Sequence, residues 1–453
     1  MNLPNFFLAD LPSEAVLTPS LVTEACQSIK RNRERYLATR TTAQIITLLS
    51  AVAADWLRTE NPFRRLALER GPAETGFSRE TMARGLDAFF RELTRERLGA
   101  MVEMELGNAS RLDSFCSSDA EGRQTRAALA RGPGCLVHIA AGNLPSPALM
   151  SLVLGILVRS AQFMKCASGS ALLPRLFAHS LYEVDSKLGA CLELAAWPGG
   201  SLALEEALFG EADCVTATGS DAALGAIRQR LPARVRFLGY GHRVSFAFVA
   251  GKVLTGLHLP RVVSRAAADV TAWNQLGCLS PHVIYVEQGG EADAKRFAVM
   301  LADELKAREE AEPRGTVPDA VAAGIASRRA IYEVRAAHSQ ETQMWRSADS
   351  TAWTVVYEAD PRFQSSCLNR FVYVKPVADL AEVLRSADPI REQLSTVGIA
   401  VPEHLSGEVA TQLAQWGATR VCPLGRMQEP PLAWRHDGRP ALSDLVTWTD
   451  LEM

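Results

Sequence analysis

Charge bias, paired cysteines and long apolar runs are all missing from this 453-residue chain. Its 48 Lys and Arg stand against 51 Asp and Glu, a formal net charge of -3 with the two signs well mixed. That balance gives no sign of a general polyanion-binding surface, though it leaves room for local phosphate pockets, and nucleic acid is not an expected partner. The nine cysteines are odd in number and scattered, with no CxxC pair, so free cytosolic thiols are expected rather than a disulfide framework or a zinc ribbon. The longest apolar stretch, Pro147 to Val158, is closed by Arg159 and falls well short of the roughly 20 residues of a membrane-spanning helix. A fully buried helix is expected there. The opening MNLPNFFLADLPSE lacks the basic region and apolar core of a secretory signal, and its acidic residues disfavour a transit peptide, which points to the cytoplasm. There is no GxxxxGK[ST] loop, HExxH pair or GxSxG elbow, and the eight histidines are dispersed; P-loop and metal chemistry are disfavoured, and no metal is expected.

What is present is a globular chain, 47% hydrophobic, long enough for two or three domains. Ile45, Ile46, Leu48, Leu49, Val52, Trp56 and Leu57 recur at helical spacing, and Phe89, Phe90 and Leu93 do so again. The first hundred residues therefore form a helical layer, punctuated at Pro62 and at Gly71-Pro72. From Cys135 short apolar runs alternate with helical ones: CLVHIA, the Pro147 helix, FMKCA, a helix near 173–188, LELAAW, a helix near 203–209 and CVTAT. This is the βαβ pattern of a parallel sheet in an α/β protein. Ser220 caps a helix to about Leu231, VRFLGY and SFAFVA add strands, and a helix covers 259–275. A second α/β block holds HVIYVE, helices near 291–310 and 318–336, TAWTVVYE, RFVYVK, STVGIA and TRVCPL, with HSQETQ at 338–343 as the expected mobile loop. The domains expected are an N-terminal helical region over 1–130 packed on a nucleotide-binding α/β domain over 131–258, a second α/β domain over 259–430, and a tail from 431.

A few residues stand where chemistry is possible. Cys278, in WNQLGCLSP, joins a helical run to a strand, and such connections carry reactive groups more often than cores do. Gly277 permits close backbone approach, and the adjacent amide can donate to an oxyanion; a small buried hydrophobe is the plainer alternative. Asn143, in HIAAGNLPSP, follows a buried strand and either donates at the C-terminal edge where such sheets bind ligands or merely closes the turn. Lys165 ends the next strand and Gly219-Ser220 starts a helix, which brings an ammonium group and a helix N-terminus to that edge, both suited to phosphate or ribose oxygens. Gly239-Tyr-Gly241 lacks the third glycine of a dinucleotide fingerprint and is weak on its own. His242 either handles a proton or is structural.

Taken in order, HIAAGNLPSP, LVLGILVRSAQFMKCAS, VTATGSDAAL, FLGYGHRVSFAFV and WNQLGCLSP resemble the aldehyde dehydrogenase superfamily, and more specifically the LuxC-type long-chain acyl-CoA reductase family. The closing VCPLGRMQEPPLAWRHDGRP resembles that family's C-terminal signature, so the similarity runs from about residue 130 onward. The resemblance implies an aldehyde-dehydrogenase-like α/β fold, with a Rossmann-type cofactor domain beside a catalytic domain that carries Cys278. It implies Cys278 as acyl-accepting nucleophile, Asn143 as oxyanion donor, Lys165 at the ribose and Gly219-Ser220 at the pyrophosphate; Ser168, Gly239 and Gly241 are further candidate cofactor residues. FLGYGHR offers no water-activating glutamate, which suits a reductase whose thioester must outlast water. Cys166-Ala167-Ser168 offers no carboxylate to repel a 2′-phosphate, so NADPH is the expected cofactor. Glu358 is the only, and weak, counterpart of a second glutamate that seats the nicotinamide ribose.

The activity so implied is reduction of an activated fatty acyl group, from long-chain acyl-CoA or another donor, to the aldehyde. Alternatives are a CoA-acylating aldehyde dehydrogenase running in the oxidative direction, or an acyl-carrier subunit acylated on Cys278 that does not reduce. The resemblance further implies a homo-oligomer and a complex with acyl-transferring or acyl-activating subunits. Chain length of the acyl group depends on pocket shape and is not legible in the sequence.

Overall fold

Thr18 opens the first long helix, Pro19–Tyr36, by accepting from the Leu21 N–H at 3.2 Å. Thr41 opens the second, Thr42–Trp56, and Gln44 returns the bond to the Thr41 N–H at 2.9 Å. Caps of this kind satisfy N–H groups that a helix start leaves unpaired. In this computed structural model, which describes residues 3–12, 14–123, 125–289 and 293–452, helices follow at Pro62–Thr75, Arg79–Glu92 and Arg95–Leu106. Ile45, Leu49, Val52 and Trp56 are buried as their spacing predicts, and the Trp56 indole donates to Ser180 Oγ at 2.8 Å. Pro62 begins its helix, but Gly71-Pro72 does not end it. Pro72 lies inside Pro62–Thr75, close enough to the C-terminal end that its missing N–H and its ring disturb only the last turns.

The chain divides into two units, one made of Met1–Thr75, Leu86–Gly241 and Pro431–Met453, the other of Gly76–Gly85 and His242–Pro430. In the first, β1 (Arg126–Arg131) pairs antiparallel with the strand Thr447–Glu452. The strands β2 (Cys135–Ile139), β3 (Ala161–Cys166), β4 (Leu192–Ala196), β5 (Cys214–Thr218) and β6 (Arg236–Tyr240) form an all-parallel sheet in the order β4-β3-β2-β5-β6. Helices Ser146–Leu157, Leu172–Val184, Leu202–Glu211 and Asp221–Arg230 connect them. Sheets covered on both faces demand near-continuous apolar strands, and β3 is buried at every residue. The helix expected near 173–188 is split, because the Asp185 carboxylate caps a second short helix, Ser186–Gly189, by accepting from the Lys187 and Leu188 N–H groups.

The second unit holds β7 (Val244–Val249), β8 (Pro281–Glu287), β9 (Thr342–Arg346), β10 (Thr354–Glu358), β11 (Phe371–Val377), β12 (Leu394–Ala400) and β13 (Arg420–Pro423) in the order β13-β12-β7-β8-β11-β10-β9. All pairs are parallel except β9 with β10. From the sequence the first α/β domain is expected to run to 258. The division falls instead after Gly241, because β7 pairs with β8 and β12 in the second sheet. Apart from Gly76–Gly85, which belongs to the second unit and includes the start of Arg79–Glu92, the N-terminal helices and the segment from Pro431 belong to the first unit rather than standing apart. HSQETQ is not a free loop either: the helix Asp319–His338 runs into it, and Thr342, which opens β9, is buried. The helix expected near 291–310 is Ala294–Ala311, with positions 290–292 outside the described residues. No described helix is long and apolar enough to cross a membrane.

Candidate active site

In the first unit the strand order reverses between β2 and β5, the point at which open parallel sheets bind ligands beyond their C-terminal strand ends. Ile139 pairs with both Lys165 and Ala217, so the loop with Asn143, the end of β3 and the Gly219-Ser220 turn leave the sheet at one edge. Asn143 is exposed, in a turn held by Ser170 Oγ donating to the Gly142 carbonyl at 3.0 Å. Lys165 is the penultimate residue of β3 and is buried. Burial pushes its ammonium below the ordinary lysine range, and attraction to Glu205 partly offsets this; a cation so placed gains from any anion brought to it. Ser168 is exposed in the turn after β3. Ser220 caps Asp221–Arg230, accepting from the Ala223 N–H at 3.2 Å, and the Gly219 N–H donates to the Tyr240 carbonyl at 3.2 Å.

Gly239 and Gly241 have a packing reason of their own. A β-carbon on Gly239 would lie 2.9 Å from the Phe237 ring, and one on Gly241 would overlap the Asp221 carboxylate. Their link to a cofactor therefore rests on the sequence. Two residues at this edge were not singled out from the sequence. His138 contacts Thr216 Oγ1 through Nδ1 at 2.7 Å and Gln162 Oε1 through Nε2 at 2.9 Å, tying β2 to β5 and β3. Burial brings its pKa down to about 4 although Gln162 pulls the other way, so the ring is neutral at physiological pH. Trp197, just after β4, is buried with its indole Nε1 lacking a hydrogen-bond partner, a costly state for a donor.

In the second unit the helix His258–Thr271 stops short of the expected 275, and Trp273, Asn274 and Gln275 turn left-handed with φ of 49°, 53° and 64°. Cys278 follows, half-buried, at the N-terminal edge of β8. Several neighbours hold the turn that carries it. The Cys278 carbonyl accepts from Ser245 Oγ at 2.7 Å, and Ser245 Oγ in turn accepts from the Thr396 N–H at 3.1 Å. Gln275 donates to the Pro281 carbonyl at 2.8 Å, and the Gln428 amide donates to Ser280 Oγ. Gln428 also lies so close over Gly277 that a β-carbon there would overlap its amide, which explains the glycine before the cysteine. Asp269 pins this segment by accepting from the Gly425 and Met427 N–H groups at 2.5 and 2.9 Å. The Arg420 guanidinium, which donates to the Met427 carbonyl at 2.6 Å, attracts Cys278 electrostatically. The Gly-Arg-Met-Gln run of the closing motif thus braces the cysteine turn.

His242 is exposed just before β7, and β7 meets β8 at Ser245 and Pro281, so it enters the same edge as Cys278. His282 is buried, with its Nδ1 accepting from the Ser366 N–H at 3.0 Å. Burial first, then repulsion from His242, lowers its pKa to about 4, so it carries no charge near neutrality. Glu358 does not join this edge. It closes β10 at the end remote from the cysteine, since Thr354 pairs with Phe371 and Tyr373 with Val283. Its buried carboxylate is taken up by Arg335, by Lys375 at 3.4 Å and by the Tyr332 hydroxyl at 3.2 Å. Glu358 is therefore discarded as a ribose ligand.

Comparison with known proteins places this geometry. The sequence profile of a family described as acyl-CoA reductase (LuxC) matches residues 37–448. A long-chain acyl-protein thioester reductase 2 of Photobacterium leiognathi is 26% identical over 446 residues, 96% of this chain and 87% of that protein. A long-chain acyl-protein thioester reductase of Aliivibrio fischeri is 24% identical over 424 residues, 90% of this chain and 82% of its own. Among solved structures, a NAD-dependent benzaldehyde dehydrogenase from Corynebacterium glutamicum superimposes with a TM-score of 0.70 at 13% identity, covering 96% of this chain and 91% of that one. A P. syringae indole-3-acetaldehyde dehydrogenase solved with NAD+ gives 0.73 at 13% identity, with 97% and 90% coverage. The fold is that of the aldehyde dehydrogenases.

Proposed function

Because the chain belongs to the acyl-CoA reductase (LuxC) family, we propose that it transfers a long-chain acyl group from CoA to Cys278 and reduces it to the aldehyde with NADPH. The observation that carries this reading is the cysteine turn: a half-buried thiol on a fully braced loop, next to a glycine and within the field of Arg420. A thiolate gains from such a cation.

The first unit fits a dinucleotide on its own chemistry. Lys165 is a buried cation at the switch point, Ser220 opens a ten-residue helix there, and the Trp197 indole is a buried donor with nothing to bond. Phosphate oxygens suit a helix N-terminus and an ammonium, and ribose or base acceptors suit an indole N–H. Lys165, Ser168, Gly219 and Ser220 are assigned to hold it. When bound, the reduced nicotinamide supplies the hydride.

The remaining steps belong to the chain. The Cys278 thiolate attacks the acyl thioester, a carbon–sulfur bond forms as the carbonyl π-electrons move to oxygen, and the Cys278 N–H is assigned to donate to that oxyanion. Asn143 is assigned to the same oxyanion on the family resemblance alone. Collapse expels the CoA thiolate and leaves the acyl group on Cys278, one thioester exchanged for another. No carboxylate in FLGYGHR activates water, so the acyl-cysteine waits for reduction. Collapse of the reduced adduct then frees the aldehyde and restores the Cys278 thiolate. The names of the relatives favour a second donor, an acyl group carried as a thioester on a protein, and the same chemistry serves it. A homo-oligomer and an acyl-transferring partner subunit fit this reading.

Near-ultraviolet absorbance of NADPH, followed with long-chain acyl-CoA and with mass-spectrometric analysis of product, tests the proposal. Wild-type protein should form aldehyde, and Cys278→Ala should form none. Activity surviving in Cys278→Ala would overturn the mechanism, whereas an acyl adduct on Cys278 without any NADPH oxidation would favour an acyl-carrier role.

A further inference from the structure

We infer that Arg370 is a positioning residue for Cys278, acting through Asn274 to hold the turn before the cysteine in its left-handed form; the inference rests on Cys278 being the nucleophile. Two such turns occur among the described residues of the second unit: Trp273, Asn274 and Gln275, and Leu368, Asn369 and Arg370 with φ of 57°, 54° and 64°. None of the six is glycine. The β-carbon of each disfavours this conformation, and strained runs persist only where the surroundings over-determine them.

The two turns are fastened to each other. Arg370 Nε donates to Asn274 Oδ1 at 3.0 Å, and Gln275 Nε2 donates to Ser366 Oγ at 3.4 Å. Arg370 is fully buried, and its Nη1 is fixed separately by the Glu309 carboxylate at 2.7 Å and the Glu312 carbonyl at 2.9 Å. Asn274 spends its other polar atom on the Arg314 carbonyl at 2.7 Å. A buried guanidinium is expensive, and an apolar residue of similar volume commonly serves stability as well or better. What an apolar residue would not supply is the directed Nε–H that keeps Asn274 where it is. The helix His258–Thr271 ends where this turn begins. Without the bond the cheapest backbone for residues 273–275 is right-handed, which extends the helix by about 1.5 Å per residue along its axis. That carries Cys278 away from Arg420 and from the Ser245 bond, so the thiolate loses its stabilising charge.

The test measures alkylation of Cys278 by iodoacetamide, read by peptide mass spectrometry, with the half-buried Cys116 of the first unit as internal reference. The variants are Arg370→Lys, Asn274→Ala and the two combined. Alanine keeps the β-carbon that disfavours positive φ, so Asn274→Ala removes the bond and leaves the backbone strain unrelieved. Each single variant should slow Cys278 alkylation and kcat in parallel by on the order of tenfold or more, with KM and Cys116 unmoved. The double variant should be no slower than the slower single one, because both remove one interaction. Wild-type Cys278 reactivity in Asn274→Ala, or effects that multiply in the double variant, would overturn the inference. Should Arg370→Lys fail to fold, Asn274→Ala alone decides. Alkylation needs no acyl substrate, so this outcome stays separate from any failure of the reductase reading.

Discussion

Two mid-helix glycines should answer the same substitution differently. Gly85 lies in Arg79–Glu92 and Gly99 in Arg95–Leu106. Alanine in a helix interior is favoured over glycine by about 1 kcal/mol, and Gly99 has nothing within 4 Å of the new methyl, so Gly99→Ala keeps most of that gain. At Gly85 the methyl would overlap the Trp273 ring, and even the third-nearest ring atom lies only 2.6 Å away, against about 3.5–4.0 Å for comfortable contact. The indole has no easy retreat: Phe77 meets it edge-on at 5.2 Å, and its backbone is already left-handed. Overpacking of this kind costs about 1–3 kcal/mol, which cancels or outweighs the helical gain and leaves Gly85→Ala neutral to about 2 kcal/mol less stable. The push also falls on the turn that carries Cys278, so kcat should drop although Gly85 is remote from it in sequence. Thermal unfolding and steady-state rates of both variants, measured side by side, provide the check. Gly85→Ala unfolding at or above Gly99→Ala, with full activity, would refute the packing argument.

The buried Asp269 carboxyl should make stability pH-dependent. Burial raises its pKa from 3.8 to about 7 despite the two backbone N–H groups it accepts from. Because the folded value lies above the unfolded one, its contribution is complete below about pH 4 and is lost as pH rises through about 7. The stability difference between wild type and Asp269→Asn should therefore shrink from pH 5 to pH 8 in denaturant titrations, and a flat difference would count against the assignment. At the cofactor edge, Ser168→Glu places a carboxylate in the exposed turn after β3. KM for NADPH should rise relative to KM for NADH, and an unchanged ratio would remove Ser168 from the cofactor site.

The parallel strands were legible because burial on both faces forces continuous apolar runs such as FMKC and HVIYVE, and the caps at Thr41 and Ser220 announce themselves by residue type. Other elements left no such trace. RAALAR in β1 holds only a short alanine-rich run without alternation, and its partner TWTDLE is exposed at every residue. The left-handed turn at Trp273, Asn274 and Gln275 lacks the glycine or proline that normally marks a turn; it exists because Arg370, Ser366 and Gly85 impose it from other segments. Cys278 could be picked out by its connection and its neighbours, but the parts that brace it, Ser245, Asp269, Arg420 and Gln428, are polar residues whose purpose appears only when β7, the helix His258–Thr271 and the stretch from Arg420 to Gln428 meet. Glu358 misled because a glutamate ending a strand carries no sign of which sheet edge it faces.

The order in which the units are completed sets a constraint on synthesis. A nascent chain of 430 residues contains all of the second unit, while the first still lacks the strand that pairs with β1 and the stretch whose Ala441, Leu442 and Ser443 N–H groups the Glu105 carboxylate receives. During translation, then, every segment around Cys278 is made before the strand that closes the unit assigned to the cofactor. Until that closure, β1 is an unpaired edge that a chaperone or a second nascent chain can occupy.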